Sequence, residues 1–134
     1  MIGSGLRRGK RRAKRCQMNH EMVLNVVGCH KGFEFQGPRY RYLGDNSGEE
    51  FLEEFLLPWI GSIPEGATAT VDFSGTKVFM PSFLDEAFGG AVRRGYGKAV
   101  SSLRFKGVDV ETLRDLKQYI SNALAEDSSS LQSS

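Results

Sequence analysis

At 134 residues the chain is long enough for one domain with a real hydrophobic core. No run of about 18 apolar residues is present, so no membrane-spanning helix is expected, and no long apolar segment follows the basic N-terminus to make a secretory signal. Two cysteines, Cys16 and Cys29, are too few for a disulfide framework and lack metal-type spacing, which suits a reducing cytoplasm.

The net charge of +2 hides a segregation. Arg7, Arg8, Lys10, Arg11, Arg12, Lys14 and Arg15 place seven basic groups and no acid in the first fifteen residues. Eleven of the eighteen basic groups remain for the rest, against sixteen acidic ones, a net charge of −5. Residues 1–20 read as a disordered Gly- and Arg-rich arm. Met18 and Met22 follow it, and either is a possible start of the domain. The arm is then either a functional element or an over-extended translation start.

The domain is expected over 21–125. Met22 to Val27 is a short apolar run, a strand covered on both faces. His30 follows Cys29 directly, and neighbours on a strand point to opposite faces, so the two make a poor ligand pair. Phe33 and Phe35, then Tyr40 and Tyr42, alternate on either side of Gly37-Pro38 and predict a hairpin. Ser47 fits a helix N-cap with Glu50 completing a capping box. Phe51, Leu52, Phe55, Leu56, Trp59 and Ile60 form the apolar stripe of that helix, and Glu49, Glu50, Glu53 and Glu54 its opposite face. Pro58 should kink or end it near Leu57.

Residues 67–73 read as a core strand and 76–80 as a short one, with Ser74-Gly75 as the turn between. Pro81 disfavours helix at Met80, so a helix over 82–94 would open with Ser82 as N-cap and Asp85 as its capping-box acid. Gly89-Gly90 interrupts it, which a close approach to the sheet would explain. Gly95 and Gly97 end it. Ser102 to Lys106 is a strand. Asp109 can cap a last helix with the stripe Val110, Leu113, Leu116, Ile120, Ala123 and Leu124. Residues 126–134 read as a disordered Ser-rich tail. The order is strands, helix, strand, helix, strand, helix, which implies an α/β fold with a mixed sheet and helices packed on it.

The segment from Asp72-Phe73 to Phe79-Met80-Pro81-Ser82-Phe83-Leu84 resembles the STAS-like domains, relatives of the STAS domain of bacterial anti-sigma-factor antagonists. Those carry an aspartate-leucine strand end, a short link and Phe-Met-Asp-Ser-Ser-Gly-Leu opening a helix. Gly37-Pro38-Arg39 and Ser47-Gly48-Glu49-Glu50-Phe51 look like leading motifs of a STAS-like family of largely uncharacterised function, and the resemblance covers roughly residues 37–124. It implies a non-enzymatic regulatory module, without cofactor, whose partner is a histidine-kinase-like ATPase or an anti-sigma factor. The serine matching Ser82 is phosphorylated in the antagonists. Pro81 here replaces their aspartate and Phe83 their second serine, so Ser82 is alternatively only a cap. The implied contact surface holds Arg39, Asp72, Ser74, Ser82, Phe83, Asp85 and Glu86, with loops Ser74–Lys77 and Gly44–Ser47.

Asp72 is alternatively a ligand for backbone donors of the Ser74-Gly75 turn. No histidine is placed to serve a serine nucleophile, no Gly-x-Ser-x-Gly elbow exists, and candidate metal ligands are too few. The other reading of function is a nucleic-acid-associated accessory protein binding through the seven cations of the arm. No aromatic side chain is interleaved there, so base stacking is not expected.

Overall fold

The computed structural model describes residues 21–133, with side chains from Met22 to Glu126. The arm and its seven cations lie outside the described residues. Strand β1, Glu21–Asn25, is followed by a short helix α1, Val26–Cys29. Helix α2 spans 48–62, strand β2 is Thr68–Asp72, helix α3 spans 81–94, and helix α4 is Gly97–Ser101. Strand β3, Arg104–Lys106, and helix α5, Val110–Ser133, complete the chain. The fold is α/β.

The three strands form one parallel sheet in the order β1-β2-β3. Leu24 pairs with Val71, and Val71 with Phe105. In β2, Ala69, Thr70 and Val71 are all buried, as a central parallel strand requires. The run at β1 is not covered on both faces: Val23 is exposed and Leu24 partly buried, so β1 alternates. The sheet is parallel rather than mixed among the described residues because the hairpin does not form. Residues Lys31–Glu34 and Arg41–Leu43 are 3-10 turns instead.

Gly37 explains this. Its N–H donates to Asn46 O at 2.9 Å, and a Cβ there would collide with Asp45 O. The chain therefore runs on past Gly37 along residues 46–49, with Gly48 N–H donating to Pro38 O and Glu49 N–H to Arg39 O. The glycine serves close backbone contact, not a turn. Residues 76–80 likewise form no strand. A single parallel bridge joins Val78 to Phe35.

Ser47 caps α2 as expected, its Oγ accepting from Glu50 N–H at 3.0 Å. Glu50 reaches back one residue further than a standard box, to Asn46 N–H at 3.2 Å. Pro58 neither ends nor breaks α2. The turn Leu52–Leu56 widens into a π-helix, with Leu57 N–H donating to Leu52 O, and the helix continues to Ser62. Such a widened turn accommodates a proline ring that would clash with the carbonyl four residues back.

Helix α3 begins one residue earlier than expected. Pro81 takes its first position and Met80 is the cap, so Ser82 is not the N-cap and Asp85 closes no capping box. Proline suits that first position because its missing N–H would be unpaired there anyway. Gly90 meets Leu52 of α2 rather than the sheet, and Gly95 ends α3 with φ of 100°. Helix α5 runs through 126–133, where a disordered tail was expected; no glycine or proline stands in that stretch to stop it. Val110, expected in the apolar stripe, is exposed, whereas Leu116, Ile120 and Ala123 are buried.

The core is largely phenylalanine. Phe51 and Phe83 on α2 and α3 stack at 5.6 Å between centroids, and Phe33 meets both edge-on. Phe88 carries the network from Phe51 to Phe73 and Phe105 at the sheet. Phe35 alone among the nine phenylalanines takes no part. It is exposed.

Candidate functional site

The start of α3 is built by three segments. Residues 34–36 and 77–80 run side by side. Lys77 and Val78 N–H both donate to Glu34 O, and Gln36 N–H donates to Val78 O. The Gln36 side chain, 5% exposed, then receives Met80 N–H on Oε1 at 2.9 Å. This bond fixes the capping residue of α3, a task left to Ser82 by sequence reasoning. Gln36 Nε2 is buried without a partner among the described residues.

The third segment is 37–48. Gly48 packs against α3 so closely that a Cβ would lie 2.5 Å from Phe83 O. Arg39 crosses to the first turns of α3, with Nη1 2.9 Å from Asp85 Oδ2 and 3.5 Å from Glu86 Oε1. Burial pulls the Arg39 guanidinium down, but the hydrogen bonds and charges of Asp85 and Glu86 outweigh it and hold its pKa above the ordinary value.

The residues expected at a contact surface thus fall into groups. Arg39, Asp85 and Glu86 come together. Ser82 stands one turn before Asp85 on α3 and is half-buried. Phe83 is corrected: it is fully buried between Phe33 and Phe51, because its helical position faces the core. Asp72 is the last residue of β2 and Ser74 lies just beyond it. Ser74 donates both Oγ, at 2.6 Å, and N–H, at 2.9 Å, to Asp72 Oδ1. The Ser74 hydroxyl, then its amide, lower the Asp72 pKa against the opposing effect of burial. Asp72 is therefore engaged as a turn ligand.

Three exposed apolar residues border the start of α3 and were absent from the sequence-based surface. They are Phe35, Val78 and Met80, 54%, 39% and 37% exposed. Lys77 Nζ lies 6.0 Å from the Phe35 ring centroid. The signal was present as Val78 and Met80 two residues apart in the segment 76–80, read there as a short strand.

Metal chemistry finds no frame among the described residues. No group of three histidine, cysteine or carboxylate side chains could hold a metal. His30 caps a turn, its Nδ1 accepting from Gly32 N–H at 2.9 Å. Cys29 is a free, half-buried thiol whose pKa burial pushes up. A cleft of about 620 Å³ lies at the other end of β2, beside Ala69, Tyr96 and Ala99. Its ionisable pair, Glu65 and Lys98, is 3.9 Å apart and almost fully exposed. No helix among the described residues is long and apolar enough to cross a membrane.

No curated protein and no solved structure matches the chain. A family model does: the STAS-like domain of unknown function (DUF4325) matches residues 47–113, from the cap of α2 to the first turn of α5. That is half the chain, and it includes α2, β2, α3 and β3 whole. By this match the chain belongs to the STAS-like domain family.

Proposed function

We propose that this chain is a non-enzymatic regulatory module of a bacterial cytoplasm that binds a protein partner through the surface at the start of α3. The observation that carries the reading is the exposed apolar strip of Phe35, Val78 and Met80. It borders the helix turn that holds Ser82 and the Arg39–Asp85 pair. Apolar groups left in water beside fixed charges suit a docking surface better than a solvated one. By likeness to the anti-sigma-factor antagonists, the partner is a protein with a histidine-kinase-like ATP-binding fold.

Ser82 is the regulatory position in this reading. A phosphoryl group there would add about −1.5 to −2 charges one turn before Asp85 and Glu86. The start of a helix accommodates such an anion, so the change would act on the partner contact and leave the fold standing.

The test is an affinity capture from the native host with the full chain as bait, beside a Phe35→Ser/Met80→Ser variant, with phosphosite mapping. A kinase-like ATPase held by the wild type and lost by the variant supports the reading. Equal recovery by both baits, or recovery of nucleic-acid proteins only, overturns it.

A further inference from the structure

A second surface, on the turn after Arg39, calls for an occupant of its own. Tyr40, Tyr42 and Leu43 are exposed on one short turn, Tyr42 by 81% and Leu43 by 58%. The two tyrosine rings stack within 10° of parallel, 5.7 Å between centroids. Arg41 between them is turned to α2. Its N–H donates to Glu49 Oε1 at 2.9 Å, and its guanidinium pairs with Glu53 and Glu54 at 3.1 and 2.9 Å. The aromatic turn and the acidic face of α2 are thereby one surface.

That surface is short of positive charge. Residues 39–54 hold five acidic groups against two basic ones, a net of −3. Each carboxylate offers about four acceptor positions, so the contacts to Arg41, joined at Glu53 by Arg94 at 3.3 Å, still leave positions open. Apolar rings beside open carboxylates fit the side chains of arginine and lysine: stems lie on the rings and heads reach the acids.

The chain itself carries a segment of that chemistry. Residues 7–15 contain seven basic groups and no acid. They join the domain at Glu21, the first residue of β1. Arg15 is six residues and Arg7 fourteen residues before Glu21, so extended they reach about 20 to 46 Å from it. Thr68 pairs with Glu21. Glu53 is nine helical residues from Ser62, about 14 Å. Ser62 is six residues from Thr68, at most about 20 Å away. With about 5 Å between paired strands, the whole distance is at most about 39 Å, within the extended reach of Arg7 and Arg8.

We propose that residues 7–15 dock in cis on the surface formed by Tyr40, Tyr42, Leu43, Glu49, Glu53 and Glu54. The contact is electrostatic and salt-sensitive, and it is independent of any role for Ser82.

A nitroxide on Cys16, in the full chain with Cys29→Ser, tests this by amide NMR. The expected result at about 0.01 M salt, where the Debye length is about 30 Å, is that the amides of residues 40–43 and 49–54 lose more than half their intensity. At about 1 M salt, with a Debye length of about 3 Å, the intensity should return. Glu53→Lys/Glu54→Lys should abolish the loss, and so should Arg11→Ser/Arg12→Ser, which leaves the domain untouched. Loss confined to the neighbours of Glu21, such as Thr68, overturns the proposal. So does loss unchanged by both variants. Loss seen only when the nitroxide sits on a second, unlabelled copy mixed with the observed one shows docking in trans and equally overturns it.

Discussion

Arg39 Nη1 lies 2.9 Å from Asp85 Oδ2 across forty-six residues of sequence, and this pair fastens segment 37–48 to the start of α3. Both side chains are 30% exposed, so the pair is worth more than a surface ion pair and less than a buried one. Arg39→Ala should cost about 1 kcal/mol in urea unfolding. It should also speed hydrogen exchange at Gly48 and Glu49, whose amides donate to Pro38 O and Arg39 O. Arg39→Lys should restore only part of this, since an ammonium lacks the planar fork. Unchanged exchange at both amides would show that the backbone bonds alone hold the segment.

Phe88 tests the core. It is fully buried and touches Phe51, Phe73 and Phe105, so it links α2 and α3 to the sheet. Phe88→Ala should destabilise the domain by about 3–5 kcal/mol, enough to unfold many domains of this size. Chemical denaturation measures it. A near-neutral result would place the α3 packing face elsewhere.

Two glycines should separate by what surrounds them. A Cβ at Gly48 would lie 2.5 Å from Phe83 O and 2.9 Å from its Cα, both backbone atoms that cannot swing aside. A Cβ at Gly90 would lie 2.7 Å from Leu52 Cδ2, the end of a side chain. Ala at Gly90 gains about 1 kcal/mol of helix propensity against an overpacking cost of about 1–3 kcal/mol. Gly90→Ala should therefore be mildly destabilising, and Gly48→Ala the more damaging of the two. Thermal melts of both variants give the order, and a reversed order would refute the close approach at Gly48.

Asp72 supplies a pH dependence. Ser74 holds its folded pKa below the ordinary value near 3.8. A depressed carboxylate stabilises the fold above its unfolded pKa, and that stability is lost as pH falls through the folded value. Ser74→Ala removes both the hydroxyl bond and part of the reason for the shift. Wild type should thus exceed Ser74→Ala in stability at pH 6, with the gap closing below about pH 4. Urea midpoints across that range measure it. A gap of constant size would mean that the hydroxyl acts through packing and not through the carboxylate.

Local chemistry was legible in the sequence wherever neighbours in the chain settle the structure. The cap of α2 at Ser47, its apolar stripe, the central strand over Thr68–Asp72 and the α/β order follow from periodicity and capping. The Asp72–Ser74 turn follows as well, since donor and acceptor are two residues apart. The motifs about Asp72 and Phe79–Leu84 were enough to place the chain among STAS-like domains.

Tertiary contact decided the rest. Gly37-Pro38 has the composition of a turn, but the backbone of Asp45 and Asn46 claims Gly37, so the hairpin gives way to an extended crossing. Ser82 has the chemistry of a cap, but Pro81 takes the first helical position and Gln36, forty-four residues from Met80, supplies the side-chain acceptor. Phe83 and Met80 are both apolar and three residues apart, yet one is sealed in the core and the other faces water. Periodicity along one element fixes which residues share a face. Which face meets a neighbour depends on bonds and contacts made across thirty residues or more, and the start of α3 is assembled from such contacts.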